Sequence, residues 1–353
     1  MTPDTLQSLM RCPDCASSLT HDARGWSCPG CGRIFDASHG YLDLRPLTAF
    51  AEQTKYLDDA LHADARHASV SPPLLGSKIR NDMLRKFLRL GPGDRAIDLG
   101  CGSGRTLVWN ADSRANLTGI DIAPYFSREA LDSSGLLLGD LRRLPLADGG
   151  FAKAWSLDVL EHLSPQALTE MLAEANRVIA DGGAFFVYTH VRKNGAIAIL
   201  VRWVNALARG LERIGLIDLK QERLRKSDHL NPIADHDELA RVAAHAGFAL
   251  ERVTYYTPVI GAFVENVLVR MAERWLVRRA RHAQSSADDA AAVRDVRSSA
   301  KARLRRGGFV YRSLVVLSTV MKLDLLLFGR WRSGPFFALM RKTGPARVRP
   351  TTS

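Results

Sequence analysis

Cysteine is scarce in this chain, five in 353 residues, and four of the five stand in two pairs. Acids are short against bases, 37 to 49, which leaves a net charge of +12. That balance points to an anionic partner surface, and nucleic acid and acidic membrane both qualify. No stretch offers the roughly 18 uninterrupted apolar residues of a membrane-spanning helix. The start, Met1-Thr2-Pro3-Asp4, has neither a basic cluster nor an apolar run, so no secretory leader is expected. A cytoplasmic, reducing setting is the expectation, and paired cysteines there serve as metal ligands more often than as disulfides.

The pairs are Cys12-Pro13-Asp14-Cys15 and Cys28-Pro29-Gly30-Cys31, twelve residues apart. Four thiolates on two tight turns suit a tetrahedral structural zinc. A redox role fits poorly, because both pairs sit on one short polar scaffold. That scaffold is too small to bury a core, so the metal is expected to take the place of one.

The most informative stretch is Ala96-Ile97-Asp98-Leu99-Gly100-Cys101-Gly102-Ser103-Gly104. An apolar strand runs through an acid into a turn with glycine at alternate positions. Those glycines let the backbone bend and approach a ligand closely. Asp98 is expected to set a fixed negative charge beside it. Thr118–Ile122 reads as a second strand ending in an acid, Asp121, 23 residues after Asp98. Leu136–Asp140 is a third such strand. Phe151–Leu163 is a fourth strand running into a loop and helix, and Asn176–Val187 a helix end, a Gly-Gly turn and a fifth strand. Together these read as a nucleotide-binding α/β domain, with the ligand over the carboxyl ends of the strands.

Over residues 91–258 these motifs resemble the class I S-adenosylmethionine-dependent methyltransferases, especially the group acting on small molecules. The resemblance implies an α/β fold: a Rossmann-like seven-stranded sheet with helices on both faces. By position it implies that Asp98, Gly100, Cys101, Gly102 and Gly104 hold the methionine part of S-adenosylmethionine. Asp121 and Ile122 meet the ribose, Asp140 and Leu141 the adenine, and Ser156 lines the methionine end. Cys101 is no fifth metal ligand, its small size being its qualification, and Arg105 has no assigned role. The cysteine segment, with Gly40–Pro46, resembles small zinc ribbons that partner or precede methyltransferases, with Cys12, Cys15, Cys28 and Cys31 holding Zn2+. Some of those are activator subunits of tRNA and protein methyltransferases, and others are fused to rRNA guanine methyltransferases. The implied role is scaffolding or substrate presentation.

The expected layout is a zinc ribbon over 1–48, a helical linker and lid over 49–90, and a methyltransferase core over 91–256. A helical insertion over 257–334, the last core strand over 335–343 and a disordered tail over 344–353 complete it. Within the linker, Lys78–Leu88 has apolar residues at helical spacing, and Gly91-Pro92-Gly93-Asp94 stops that helix. Tyr56 is a lid candidate with packing as its plainer role. After the fifth strand, Ala196–Leu207 is apolar nearly all round and is expected to cover the substrate. Phe248–Tyr256 and Pro335–Lys342 are expected to pair as the sixth and seventh strands, which makes the residues between them an insertion. From Arg270 to Arg306, eleven basic residues face four acids. Apolar stretches flanked by arginine and tryptophan suit helices lying in a membrane interface, while packing on the core or on another subunit is the alternative. Basic residues alternating with aliphatics are a poor match to RNA stacking platforms.

Methyl transfer needs orientation, and a base where the acceptor is a hydroxyl. His162, His190 and His229 lie near the expected strand ends. Val159–Leu163, Phe185–His190, Asn194-Gly195 and Ser227-Asp228-His229 are similar to the polyprenyl-dihydroxybenzoate O-methyltransferases of ubiquinone synthesis. Small-RNA 2′-O-methyltransferases share the acid-x-x-Glu-His motif. That likeness implies that Asp158, Glu161, His162 and His229 could hold a divalent cation, although Asp158 stands where those enzymes usually carry Glu. The catalytic candidates are therefore His162, His229 and Glu161, with helix capping as the structural alternative. No Asn/Asp-Pro-Pro-aromatic motif follows the fourth strand and no catalytic cysteine pair exists, so amide, exocyclic-amine and cytosine-C5 transfer are not expected. The reading is O-methylation of a membrane-associated or amphipathic small molecule: a quinone precursor, glycolipid or polyketide-like lipid. Peripheral contact with the inner face of the cytoplasmic membrane through 257–334 accompanies it. An rRNA or tRNA methyltransferase docking through the ribbon, and a non-catalytic cofactor-binding activator, are the alternatives.

Overall fold

The structure is a computed structural model and describes residues 7–22, 25–47, 70–193, 195–219, 230, 233–283 and 308–346. Tyr56, Ser227, Asp228 and His229 lie outside the described residues, as do most of the linker, the centre of the insertion and the last seven residues. In the first part of the chain β1 (Thr20–Asp22), β2 (Gly25–Ser27) and β3 (Ile34–Phe35) form a small antiparallel sheet, and β4 (Leu42–Asp43) follows. Next come α1 (Leu75–Leu88), β5 (Arg95–Leu99), α2 (Arg105–Asn110), β6 (Asn116–Asp121), α3 (Arg128–Ser133), β7 (Gly135–Leu138) and β8 (Phe151–Leu157). A 3-10 turn over Leu160–His162 leads to α4 (Pro165–Val178), β9 (Ile179–Thr189), α5 (Ala198–Arg213), α6 (His236–His245) and β10 (Phe248–Tyr255). The inserted segment contributes α7 (Val259–Phe263), a π-helical stretch over Val264–Val269, α8 (Arg270–Ala283), α9 (Phe309–Met321) and α10 (Leu323–Phe328), before β11 (Phe336–Lys342).

The large sheet has the order β10-β11-β9-β8-β5-β6-β7-β4. Strands β4 to β9 pair in parallel, whereas β11 runs antiparallel between β9 and β10. The expected seven strands are all present, but the sheet has eight. The extra one is β4, which comes from the cysteine-bearing segment and pairs with β7 through Leu42↔Leu137 and Asp43↔Leu138. A parallel sheet buried on both faces leaves its edge groups in need of partners, and this short strand covers that edge.

The period-2 alternation of β9 and β11 divides the core. Phe185, Val187, Phe336, Ala338 and Met340 face one side, against Leu168, Met171 and Leu172 of α4 and Leu239 and Ala243 of α6. Phe186, Tyr188, Phe337 and Leu339 face the other, against Ile79, Met83, Leu84 and Phe87 of α1. Helix α4 begins where sequence rules put it. The Ser164 hydroxyl caps the Ala167 amide at 3.2 Å and Pro165 takes the first helical position.

The cysteine segment does not stand apart. Leu9, Met10, Cys12, Leu19, Trp26, Cys28 and Phe35 belong to the same buried cluster as α4 and β9. Its backbone also grips the loop after β7, with Arg11 N–H donating to Pro145 O at 3.0 Å and Ala147 N–H to Leu9 O at 2.8 Å. A boundary at residue 48 therefore divides the chain but not the core.

Candidate functional site

Parallel pairing brings the carboxyl ends of β5, β6, β8 and β9 to one rim, and the glycine turn starts there. Gly100, Gly102 and Gly104 have φ of +84°, +54° and +74°. A Cβ on Gly100 would stand 2.5 Å from Val159 Cγ2, and one on Gly104 the same distance from Ala130 Cβ. Both side-chain-free positions are thus required by backbone conformation and by close approach. The Gly102 N–H donates to Asp121 Oδ2 at 2.7 Å, and the Ala123 N–H to Asp121 Oδ1 at 3.1 Å. Asp121 is drawn to the mouth of the turn, where burial raises its pKa against those two amides. Ile122 follows it, half-buried.

Three residues assigned to the ligand sit differently from expectation. Asp98 is 2% exposed and accepts a hydrogen bond from the Thr106 hydroxyl. Burial pushes its carboxyl up to about 7, and it lies beneath the turn rather than at the rim. Ser156 is fully buried and its hydroxyl donates to Leu99 O at 2.7 Å, so it ties β8 to β5 rather than lining a cleft. Asp140 is already engaged by Arg142, whose Nη2 lies 2.8 Å from Oδ2, and Leu141 packs at the edge of the core. Cys101 is buried, and its Sγ is among the atoms closest to the Cβ that Gly119 lacks, which agrees with a role set by size.

Beside the turn lies a polar cluster. Asp158, Glu161 and His190 place one ligand atom each within 4.8 Å of one another. His190 Nε2 is 3.8 Å from Asp158 Oδ1 and 3.9 Å from Glu161 Oε1. Glu161 is 1% exposed; it accepts from the Thr189 hydroxyl at 3.2 Å, while its Oε1 has no hydrogen-bond partner among the described residues. Burial, aided by the Asp158 charge, pushes Glu161 up to about 8. Asp158 itself adopts φ +57°, the left-handed region that a non-glycine residue rarely occupies, at the point where β8 turns into the next segment.

His162 is not part of this group. It ends the 3-10 turn, half-buried, whereas His190 at the end of β9 meets the acids. Of the expected set Asp158, Glu161, His162 and His229, the described residues bring Asp158 and Glu161 together with His190, which the β8–β9 pairing carries over, while His229 lies outside them.

Arg80 of α1 completes the cluster, and it was missed in the sequence. Its Nε lies 3.3 Å from Asp158 Oδ2 and its guanidinium lies over the Tyr188 ring, 5.3 Å from the centroid. The acid beside it holds the guanidinium more firmly protonated than usual. Burial raises the Tyr188 and Tyr256 phenols, so both rings remain neutral. The signal was available: Arg80 shares its helical stripe with Leu84 and Phe87, where a charge is out of place.

The four paired cysteines form a second candidate centre. Their sulfurs lie within 4.8 Å of one another, with Cys12–Cys31 at 3.6 Å and Cys15–Cys28 at 3.4 Å. A tetrahedron of Zn–S bonds calls for about 3.8 Å, so the donor set fits a zinc ion. The two turns are near copies: Ala16 N–H reaches Cys12 O and Gly32 N–H reaches Cys28 O, with both residues at positive φ.

Residues 97–187 match the family profile of a methyltransferase domain. The chain is 26% identical over 140 residues to a sterol 4-C-methyltransferase of Caenorhabditis elegans, an alignment covering 35% of this chain and 41% of the relative. It is 28% identical over 182 residues to a 24-methylenesterol C-methyltransferase of Oryza sativa subsp. japonica, covering 49% and 46%. The chain thus spans less than half the length of these curated relatives. Among solved structures, the [4+2]-cyclase SpnF aligns at 16% identity with a TM-score of 0.46, over 82% of this chain and 93% of that one.

Proposed function

We propose that this protein, which carries a methyltransferase domain over residues 97–187, transfers a methyl group from S-adenosylmethionine to a hydroxyl of an amphipathic small molecule at a membrane surface. The observation that carries the reading is one rim holding both the glycine turn with Asp121 and the Asp158–Glu161–His190 cluster. When bound, S-adenosylmethionine supplies a methyl carbon made electrophilic by its sulfonium. The protein's share is to orient the partners and move a proton.

On this reading the turn Gly100–Gly104, with Cys101, receives the methionine part, and Asp98 buttresses the turn from below. Asp121 and Ile122 take the ribose. Asp140 and Leu141 border the adenine, with Arg142 holding the Asp140 carboxylate. Ser156 is a positioning residue. The planar fork of Arg80 suits a carboxylate such as that of the methionine part.

Glu161 and His190 take the acceptor's proton. The Glu161 oxygen facing the His190 imidazole at 3.9 Å gives the pair a path to take and pass on a proton, and the raised Glu161 carboxyl makes that path more effective as pH rises toward 8. The acids have Arg80 as their positive partner, so the reading needs no divalent cation there, and His229 takes no assigned part. The four cysteines hold a structural zinc. The sterol substrates named for the relatives support an acceptor of lipid character.

Calorimetry with S-adenosylhomocysteine tests the binding half of this reading. Wild type is expected to bind, and Gly100→Ala to lose at least tenfold in affinity, because its Cβ meets Val159. Radiolabelled methyl transfer into an extract of a strain lacking the protein tests the chemistry. Label on an oxygen of an organic-phase lipid supports the reading, label on a carbon overturns the hydroxyl, and label in RNA overturns the acceptor class.

A further inference from the structure

Two helical segments, α5 and α9–α10, carry a second apolar stripe that faces away from the core. In a globular helix the apolar stripe faces the core. Val316, Val320, Leu323 and Leu327 recur at spacings of four, three and four, which is a single helical stripe, and all four are exposed. Phe309, seven residues before Val316, extends that stripe and is exposed as well. Helix α5 repeats the pattern with Ile199, Trp203 and Leu207, while Ala198 and Ala208 face inward. Helices α5, α7, α9 and α10 and the π-helical stretch pack on one another as one layer.

Charge and aromatic content say what covers this layer. Three of the six tryptophans sit in these segments, Trp203, Trp275 and Trp331, and they are 71%, 58% and 61% exposed. Arg202, Arg209, Arg213, Arg278, Arg312 and Arg330 are exposed among them. The sequence of α8 carries five arginines against one glutamate. Among the described residues no helix is long and apolar enough to cross a membrane. Exposed tryptophan and leucine amid arginine suit the headgroup boundary of a bilayer, and each nearby basic residue adds attraction to anionic lipid.

The same layer holds the helix that bears Arg80. The Leu75 N–H, at φ +54°, donates to Ser318 Oγ of α9 at 2.7 Å. The Gly76 N–H donates to Glu265 Oε1 of the π-helical stretch at 3.0 Å. Lys322 Nζ lies 2.5 Å from Asp82 Oδ2. Met321 is buried in the same cluster as Ile79 and Met83 of α1.

We propose that the layer of α5, α7, α9, α10 and the π-helical stretch docks on an anionic bilayer and that its clamps on α1 transmit docking to Arg80. The docking half specifies the surface behind the membrane contact proposed above; the coupling half rests on Arg80 gripping the cofactor. Full-length protein is floated with phosphatidylcholine vesicles, with or without phosphatidylglycerol, and S-adenosylhomocysteine affinity is measured in each. Wild type is expected to float with the anionic vesicles and to bind S-adenosylhomocysteine about threefold or more tightly on them. Trp203→Glu/Val316→Glu/Leu327→Glu is expected to lose flotation at least tenfold while keeping its lipid-free affinity within twofold. Ser318→Ala/Lys322→Ala is expected to float as wild type does but to lose the affinity gain. Equal flotation of wild type and the triple variant overturns the docking surface. So does binding to neutral vesicles alone, or a dimer in solution that the triple variant abolishes. An unchanged gain in the clamp variant overturns the coupling. Absence of S-adenosylhomocysteine binding under all conditions removes the cofactor reading and the coupling with it, while flotation still decides docking.

Discussion

Glu161 shows how position changes what a residue does. As a sequence letter it belongs to a short acidic motif; in the structure it is a buried carboxyl pushed up to about 8. Its folded pKa exceeds its unfolded value, so native Glu161 keeps its proton where the unfolded chain has lost it. The stability this contributes is complete below about pH 4.5 and is lost as pH rises toward 8. Glu161→Gln is therefore expected to flatten the fall of unfolding free energy between pH 5 and 8, as read by urea titration at several pH values. Wild-type kcat/KM should rise through an apparent pKa near 8, and the variant should lack that limb. An unaltered stability slope in the variant would place the titrating group elsewhere. Arg80 and His190 teach the complementary lesson: both are named plainly in the sequence, yet only their shared neighbour Asp158 explains them.

Among the elements, the cysteine segment departs furthest from a modular reading. Its spacing announces a metal site, and the sulfur geometry suits one. Its spacing does not announce that β4 covers the β7 edge or that Met10 and Trp26 lie in the common core. Cys28→Ala is expected to abolish binding of about one zinc per chain, read by elemental analysis. It should also lower the melting temperature of the whole chain in a single transition. A ribbon that melts separately, with the main transition unmoved, would show that the shared cluster contributes little. The loop after β7 should loosen with it, because Glu174 and Arg177 hold that loop from α4 while the ribbon backbone holds it from the other side.

For the whole molecule, the inserted helices are part of the architecture. Val264 and Met321 belong to the cluster that includes Ile79, Phe186 and Phe337. Asp324 is buried and accepts from the Ile260 and Gly261 amides at 3.0 and 2.8 Å, tying α10 to the start of α7. Excising 257–334 is thus expected to lower the melting temperature by 10 °C or more, since a few lost kcal/mol move it that far. Retention of the wild-type melting curve after excision would show the insertion to be an independent appendage.

The parallel core was legible in the sequence because local rules wrote it. Apolar runs ending in Asp98, Asp121 and Asp140, and glycines at 100, 102 and 104, specify strands and a turn through sterics and burial alone. Cysteine spacing is equally local, whereas the pairing of Phe248–Tyr255 with Phe336–Lys342 was implied by the family resemblance, because no local rule joins strands that far apart in the chain. The tertiary structure alone decided which side chains meet. Sheet order carried His190, not His162, to Glu161, and helix packing brought Arg80 to Asp158 across 77 intervening positions. It set Asp98 beneath the turn, spent the Ser156 hydroxyl on Leu99 O, and left the stripe from Phe309 to Leu327 outside. Periodicity specifies that a helix has two faces; what packs against each face depends on contacts between segments far apart in the chain.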